Sequence, residues 1–284
     1  MAVADLMVVI IRVILVWINA MYSPWPFLHI TPVCSSIMFL SGAAFVVSVW
    51  LTVAFTFDRF VAICCEKLKT KYCTERTAAV VLGTVSVLGC LVNIPWYFSF
   101  EPEYIIDNVP WGCETILSFR SSPAWAAFDM FDLILTPFIP FCLILLFNIL
   151  TVRRILMSSR VRSGLRGRSN GENNKDPEME NRKKSIILLF SISGSFILLW
   201  LTYVVFNIYV RIADIPFYYS YSDPVFLTDQ TSKMLQLLSC CTNTCIYVLT
   251  QTKFREELKN AVKYPLNLIV KFVKSQKELK GVKH

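Results

Sequence analysis

Histidine is almost missing from this chain: His29 and His284 are the only two among 284 residues. There is no HExxH pattern, no Walker loop and no GxSxG elbow. A metal-dependent hydrolase or intramembrane protease needs ligand or nucleophile clusters that this sequence does not carry, so no catalytic residues are expected. Charge is scarce too, at 17% of residues against about a quarter in a soluble domain. No Asn-x-Ser/Thr sequon occurs, and no internal repeat of the kind many transporters show. The apolar segments lack strand-like alternation, which argues against a membrane β-barrel.

What the chain has instead is apolar runs, at 6–18, 35–57, 78–98, 133–152, 186–210 and 234–250. All but the first approach or exceed the roughly 20 residues that a helix needs to cross a bilayer. The expected fold is an all-α membrane protein, a bundle of six spans. Segments 59–76, 153–184 and 251–284 carry 5, 10 and 9 of the 28 basic residues, whereas 22–33, 99–128 and 211–232 hold only Arg120 and Arg211. By the positive-inside rule the basic segments and the C-terminus are cytoplasmic and the others lie outside. The net charge of +8 then reflects topology against anionic lipid, and no nucleic-acid partner is invoked. Six spans in this order start in the cytosol. No basic n-region or cleavage site precedes the first run, which opens mid-pattern with Asp5 and implies an upstream segment.

The organisation expected is a transmembrane domain over 1–264 followed by a basic cytoplasmic tail over 265–284. Residues 157–184 read as a flexible linker, with Ser158, Ser159, Ser163 and Ser169 near arginines. Phe254, Leu258, Ala261 and Val262 share a helical face away from Lys253, Arg255 and Lys259, as in a helix lying on the inner leaflet. Pro265 ends it. Leu268, Ile269, Phe272 and Val273, with Lys271, Lys274 and Lys277, form a second interfacial stretch. Of the ten cysteines, only Cys34 and Cys113 fall on the outer side, where they pair or stay free thiols. Cys64, Cys65 and Cys73 face the cytosol as thiols, and the rest sit inside spans.

Against so apolar a background the polar residues within the spans carry the information. Asp5 and Arg12 share one helical face. Ser48, Ser239 and Asn243 lie within the second and last runs, Asp129 and Asp132 open the fourth, and Lys233 begins the last. An unpaired charge at such depth faces a wet cavity or a partner. The alternative is hydrogen bonding between helices, the simpler account of Ser48 and Ser239 taken alone.

"AVAD" at 2–5, Cys34, "DRF" at 58–60, Cys113, Trp200 and "NTCIY" at 243–247 occur in a set order. In that order the chain resembles the rhodopsin-like, class A G-protein-coupled receptors. The 25-residue interval from Cys34 to Arg59 matches, and so does Phe254, seven residues past Tyr247, as the start of an eighth helix. Within the class, "FDRFVAICCEKLKTKYCT" and "SGSFILLWLTYVVF" look most like the branch around probable G-protein coupled receptor 139. The match begins at the family's second helix. That implies an N-terminally truncated bundle, with helix 1 missing and an apolar groove left beside helices 2 and 7.

The resemblance implies a set of roles. Asp58 and Arg59, with Tyr247 and with Asn148 where many members have a moving Tyr, form the switch that meets a heterotrimeric G protein. Arg59 suits it because a guanidinium stays charged and forked. Asp5, Ser48, Ser239 and Asn243 match a sodium pocket, the one bound ion implied; no other cofactor is. Cys34 and Cys113 match the family disulfide. Trp200 matches the aromatic switch, with Phe196 beneath it. The ligand cavity is expected to be built from Arg12, Ser41, Phe45, Asp132, Trp200, Tyr203, Asn207 and Lys233. Ser41 stands where amine receptors carry an Asp, so an extracellular zwitterion with an aromatic group, or a peptide, is favoured over a monoamine. Arg12 is expected to face inward, meeting water, Asp132 or an anionic ligand group.

Several positions depart from the pattern. Phe60 replaces a Tyr, and Thr202 and Thr244 replace kinking prolines. No Trp lies near 85–86, Arg182 stands where some members have a locking acid, and no Cys follows Phe254. The function implied is a plasma-membrane receptor that converts ligand binding into G-protein activation. The alternatives are a transporter or channel using Asp5 and Arg12, and a receptor fragment that does not signal.

Overall fold

The structure, a computed structural model, describes residues 2–19, 25–166, 177–213, 223–250, 255–257, 259–261 and 263–264. The side chains of Arg120, Tyr247 and residues 158–185, and all of Phe254 and the tail from Pro265 onward, lie outside the described residues. The chain forms two units, Met1–Asn243 and Thr244–His284.

Helix α1 (Ala2–Val9) continues as a wider π-helical stretch, Ile10–Ile18. A 3-10 turn at Pro26–His29 leads into α2 (Thr31–Cys64), which starts with Pro32 in its first turn, where a missing N–H costs nothing. Short α3 (Glu66–Tyr72) precedes α4 (Glu75–Tyr97), whose first turn is capped by Thr74, its hydroxyl accepting the Thr77 N–H at 3.2 Å. Then come β1 (Phe100–Glu101), β2 (Tyr104–Ile106), β3 (Val109–Trp111), β4 (Glu114–Thr115) and the single turn α5 (Ser118–Ser121). Helix α6 (Pro123–Leu133) passes through a π-helical stretch, Ile134–Phe138, into α7 (Ile139–Arg166). Pro137 sits in that stretch: it lacks the N–H for a regular helix and presses on the carbonyl four residues back, which the wider turn accommodates. Helices α8 (Pro177–Ile212) and α9 (Pro224–Thr250) complete the described elements.

Among the described residues, four helical segments are long and apolar enough to cross a membrane: Thr31–Cys64, Glu75–Tyr97, Pro123–Met157 and Ile186–Ile212. The protein is a multi-pass, all-α membrane bundle. The first run is divided between α1 and the π-helical stretch, and α9 carries polar Asp229, Gln230, Lys233 and Gln236 in its first half. Half of the apolar window of α2 is buried, against 11% for α4, so α2 is central and α4 peripheral. Val80, Leu88, Leu91 and Ile94 on α4 point outward, as a lipid-facing helix requires.

Helix α2 packs against α1, α4, α7 and α8. Gly89 lets α4 approach it closely: a Cβ there would come within 2.7 Å of the Val47 side chain. One core joins Val49 and Val53 of α2, Ile144 of α7, and Phe196 and Trp200 of α8. A second joins Val8 of α1 with Leu237 and Cys240 of α9, and Phe45 packs on both. Buried hydroxyls are satisfied within their own helices: Thr52 donates to the Ser48 carbonyl, Thr56 to that of Thr52, and Thr151 to that of Phe147.

Segment 99–128 is more than a loop. β2 and β3 pair antiparallel with Ile106 opposite Val109, and the two residues between them, Asp107 and Asn108, both take positive φ, as a tight hairpin turn demands. A disulfide ties Cys34 at the head of α2 to Cys113, with Cα atoms 6.1 Å apart. The Gly112 N–H donates to the His29 carbonyl and the Thr31 hydroxyl donates to that of Gly112, so the hairpin is laced to the α2 entrance beside that bond. Gly112 has φ +85°, and a Cβ there would strike Glu103.

Candidate functional site

A cavity of about 240 Å³ opens between the helices toward the disulfide end of α2. Arg12 reaches it from the first π-helical stretch, and Thr136 and Pro137 from the second. Widened turns often mark functional positions, and here both flank one cavity. Met38, Gly42, Phe45 and Val46 form the wall on α2, spaced three or four residues apart on one face. Asp129 and Asp132 enter from α6; Trp200, Tyr203, Asn207 and Arg211 from α8; Gln236 from α9.

The charges differ in their company. Arg211 pairs with Asp129, joining α8 to α6. Asp132 accepts the Thr136 hydroxyl at 3.0 Å. Arg12 lies 5.9 Å over the Phe45 ring and places Nη1 3.9 Å from the Met38 sulfur. Among the described residues no carboxylate stands within ion-pair distance of Arg12. Arg12 and Asp132 therefore share the cavity without a direct pair, which leaves water or an anionic ligand group as the partners expected of an inward-facing Arg12. The acid on α6 and the base on the first π-helical stretch enter from different elements.

A smaller lobe of about 120 Å³ shares Arg12, Phe45 and Gln236 with the first and adds Trp17, Gln230, Lys233 and Leu237. Lys233 belongs to this lobe and does not line the larger one. Its ammonium is 2.5 Å from Asp229, one turn earlier on α9. Asp229 is buried and also accepts from Gln230 at 3.3 Å. Ser41 needs a correction: it is buried, its hydroxyl has no partner, and it lines neither lobe. The stripe through 38, 42, 45 and 46 turns the face of α2 past it.

Below the cavity the aromatic side chains are stacked. Trp200 meets Phe45 edge-on at 6.3 Å, Tyr203 edge-on at 6.0 Å, and Phe196 face-on at 5.3 Å. Phe196 is 1% exposed and packs with Val53 and Ile144. One turn further along α7, Phe147 packs on Phe57 at 5.3 Å and on Phe60 at 5.7 Å. Beside Phe60, Arg59 holds a single oxygen of Asp58 through Nε at 3.1 Å and Nη2 at 2.7 Å, and lies 5.3 Å over Phe55. Asn148 is buried with its side-chain oxygen unpartnered.

Asp5 and Ser48 are brought together, the Ser48 hydroxyl donating to one carboxylate oxygen. The other oxygen, and the Asn243 amide oxygen, are buried without a hydrogen-bond partner, and Ser239 is buried nearby in sequence on the same helix as Asn243. One carboxylate with neutral oxygens and orphaned acceptors suits a hard monovalent cation. Among the described residues no cluster of three His, Cys, Asp or Glu residues offers a transition-metal site.

Asp229, Arg211, Gln236, Trp17 and Met38 were not expected in the site. Asp229 was hidden because 211–232 reads as a loop, whereas α9 begins at Pro224; a Pro after Ser-Asp is a helix-start signal that places Asp229 in the second turn. Similarly, Pro123 sets Asp129 and Asp132 within a helix.

A family model described as "7 transmembrane receptor (rhodopsin family)" matches residues 1–247. Among curated proteins, Atypical chemokine receptor 3 of Rattus norvegicus is 24% identical over 267 residues, covering 92% of this chain and 67% of its own length. The Homo sapiens protein of that name is 23% identical over the same shares. Tachykinin-like peptides receptor 86C of Drosophila melanogaster is 28% identical over 218 residues, 74% of this chain and 40% of its own length.

Proposed function

Since the chain belongs to the rhodopsin family of seven-transmembrane receptors, we propose that it binds an extracellular peptide in the two-lobed cavity and activates a heterotrimeric G protein at the Asp58–Arg59 end. The observation that carries this is the packed route from Phe45 through Trp200 and Phe196 to Ile144, one turn from Phe147, which packs on Phe57 and Phe60 on either side of Asp58–Arg59 in sequence. A ligand that packs better against one arrangement of Trp200 shifts the population of the whole stack, by no more than its differential affinity for the two arrangements. The disulfide end then faces outside, the basic segments face the cytosol, and the protein works in the plasma membrane. The names of the two kinds of relative, chemokine and tachykinin-like peptide receptors, favour a peptide. Arg12, Asp132, Lys233, Tyr203 and Asn207 around the two lobes also suit a small zwitterion with an aromatic group, and the likeness to the branch around probable G-protein coupled receptor 139 stays part of the same reading.

Asp5, Ser48, Ser239 and Asn243 would hold a sodium ion, which when bound supplies the positive charge that a buried carboxylate lacks. Ser48 orients Asp5 by its hydroxyl, and the orphaned oxygens of Asp5 and Asn243 are the acceptors left for it.

The test is nucleotide exchange by heterotrimeric G proteins of each class, with the full chain in lipid nanodiscs. Exchange above empty discs, lost in Arg59→Gln, is the expected result; no exchange with any class overturns the coupling assignment. A second reading, ligand capture without coupling, is favoured by Thr202 and Thr244 standing where the family has hinge prolines, and the same assay separates the two.

A further inference from the structure

We infer that the smaller lobe is an anion subsite, and that the two lobes together select a ligand with an acidic group for Arg12 and a separate basic group for Asp132. This rests on the cavity being the ligand site and specifies the chemistry it selects. The smaller lobe presents Arg12, Lys233, Gln230 and Gln236 around one space, with no acid on its wall. Lys233 is already balanced by Asp229. Arg12 makes no ion pair: its contacts are a thioether sulfur and the face of a ring, and Asp229, already held by Lys233, acts on its charge only from a distance. Ring and sulfur offset only part of the cost of holding a guanidinium among membrane helices. An anion in the lobe completes the site, because the planar fork of Arg12 offers two parallel donors to a carboxylate and the amides of Gln230 and Gln236 offer more. The lobe's volume of about 120 Å³ suits a small anionic group; a cavity of ~150 Å³ holds a benzene ring.

The larger lobe has the opposite bias. With Asp129 taken by Arg211, Asp132 remains as an acid whose donor is only a neutral hydroxyl. Its counter-charge comes from an ammonium or guanidinium on the ligand. Phe45, which lines both lobes, and Trp200 and Tyr203 in the larger one supply aromatic surface for the ligand's middle.

Thermal melting of the full chain in nanodiscs tests the assignment with small probes: sodium acetate for a carboxylate, sodium methyl sulfate for a sulfate ester, and methylammonium chloride for the basic group, each against sodium chloride at equal ionic strength. Near-saturating acetate or methyl sulfate is expected to raise the midpoint by about 2–4 °C. Whichever gives the larger shift names the source of the anion. That shift is lost in Arg12→Gln and kept in Asp132→Asn, while the methylammonium shift shows the reverse pattern. Arg12→Lys, which keeps charge without the fork, serves if Arg12→Gln does not fold; it should at least halve the acetate shift. An anion shift equal to that of chloride, or one that persists in Arg12→Gln as a general salt effect, overturns the proposal. Melting needs no G protein, so a failed exchange assay leaves this result standing, and a failed anion shift leaves the coupling assignment standing.

Discussion

At one end of α2, Arg59 holds one oxygen of Asp58 through two hydrogen bonds, beside an aromatic cluster of Phe57, Phe60 and Phe147. Toward the other end, Arg12 meets α2 only through a sulfur and the Phe45 ring, in a cavity walled with acids, amides and hydroxyls. The first guanidinium has its counter-charge built into the neighbouring residue; the second depends on something that arrives. The difference teaches where the molecule is finished and where it is waiting. Arg59 is paired with the acid beside it, whereas Arg12 makes no ion pair among the described residues.

Three substitutions break or sharpen that contrast. The largest effect is expected from Trp200→Ala, at 3% exposure the cavity floor and part of the core at once. Removing it should cost about 3–5 kcal/mol in unfolding measured in detergent. A loss below about 1 kcal/mol would mean that the cavity end is loosely packed throughout. Next, Cys34→Ser should lower stability by about 2–4 kcal/mol, because the bond closes a sequence separation of 79 residues. Reduced ligand binding should accompany it as the hairpin leaves the α2 entrance, measurable with the same protein. The smallest change in stability is expected for Arg59→Gln. Its partner is on the adjacent residue and both side chains are about one-third exposed, so the pair contributes within about 1 kcal/mol. A larger loss would make Arg59 a structural residue and erase the contrast.

The spans were legible because uncharged apolar runs of this length are seldom found outside membrane-crossing helices, and Arg12 and Asp132 stood out because charge inside such a run is rare. Asp229 and Arg211 did not stand out, since each lies just beyond a run, where a charge reads as loop. Only the helix start at Pro224 moves Asp229 inside. Pairing was illegible for a different reason. Whether Arg12 meets Asp132 depends on which walls the first π-helical stretch and α6 present, and no periodicity within one helix reports the rotation of another. Ser41 was misplaced on the same ground: its family position pointed to the cavity, but the stripe that faces inward on α2 runs past it through Gly42 and Phe45. The small hairpin at 104–111 was missed because its strands are three residues each, too short for alternation to register.

Cys73, between α3 and α4, leans its thiol toward the Asp58 carbonyl at a sulfur–oxygen distance of 3.8 Å. Burial, and then the bond to and charge of Asp58, push that thiol above its ordinary range, so little thiolate is present at neutral pH. Alkylation at this position is therefore expected to be slow while Asp58 stays in place and to quicken where Asp58 is drawn away. The rate at which a maleimide dye couples to Cys73 would thus give a chemical readout of whether Asp58 stays beside that thiol.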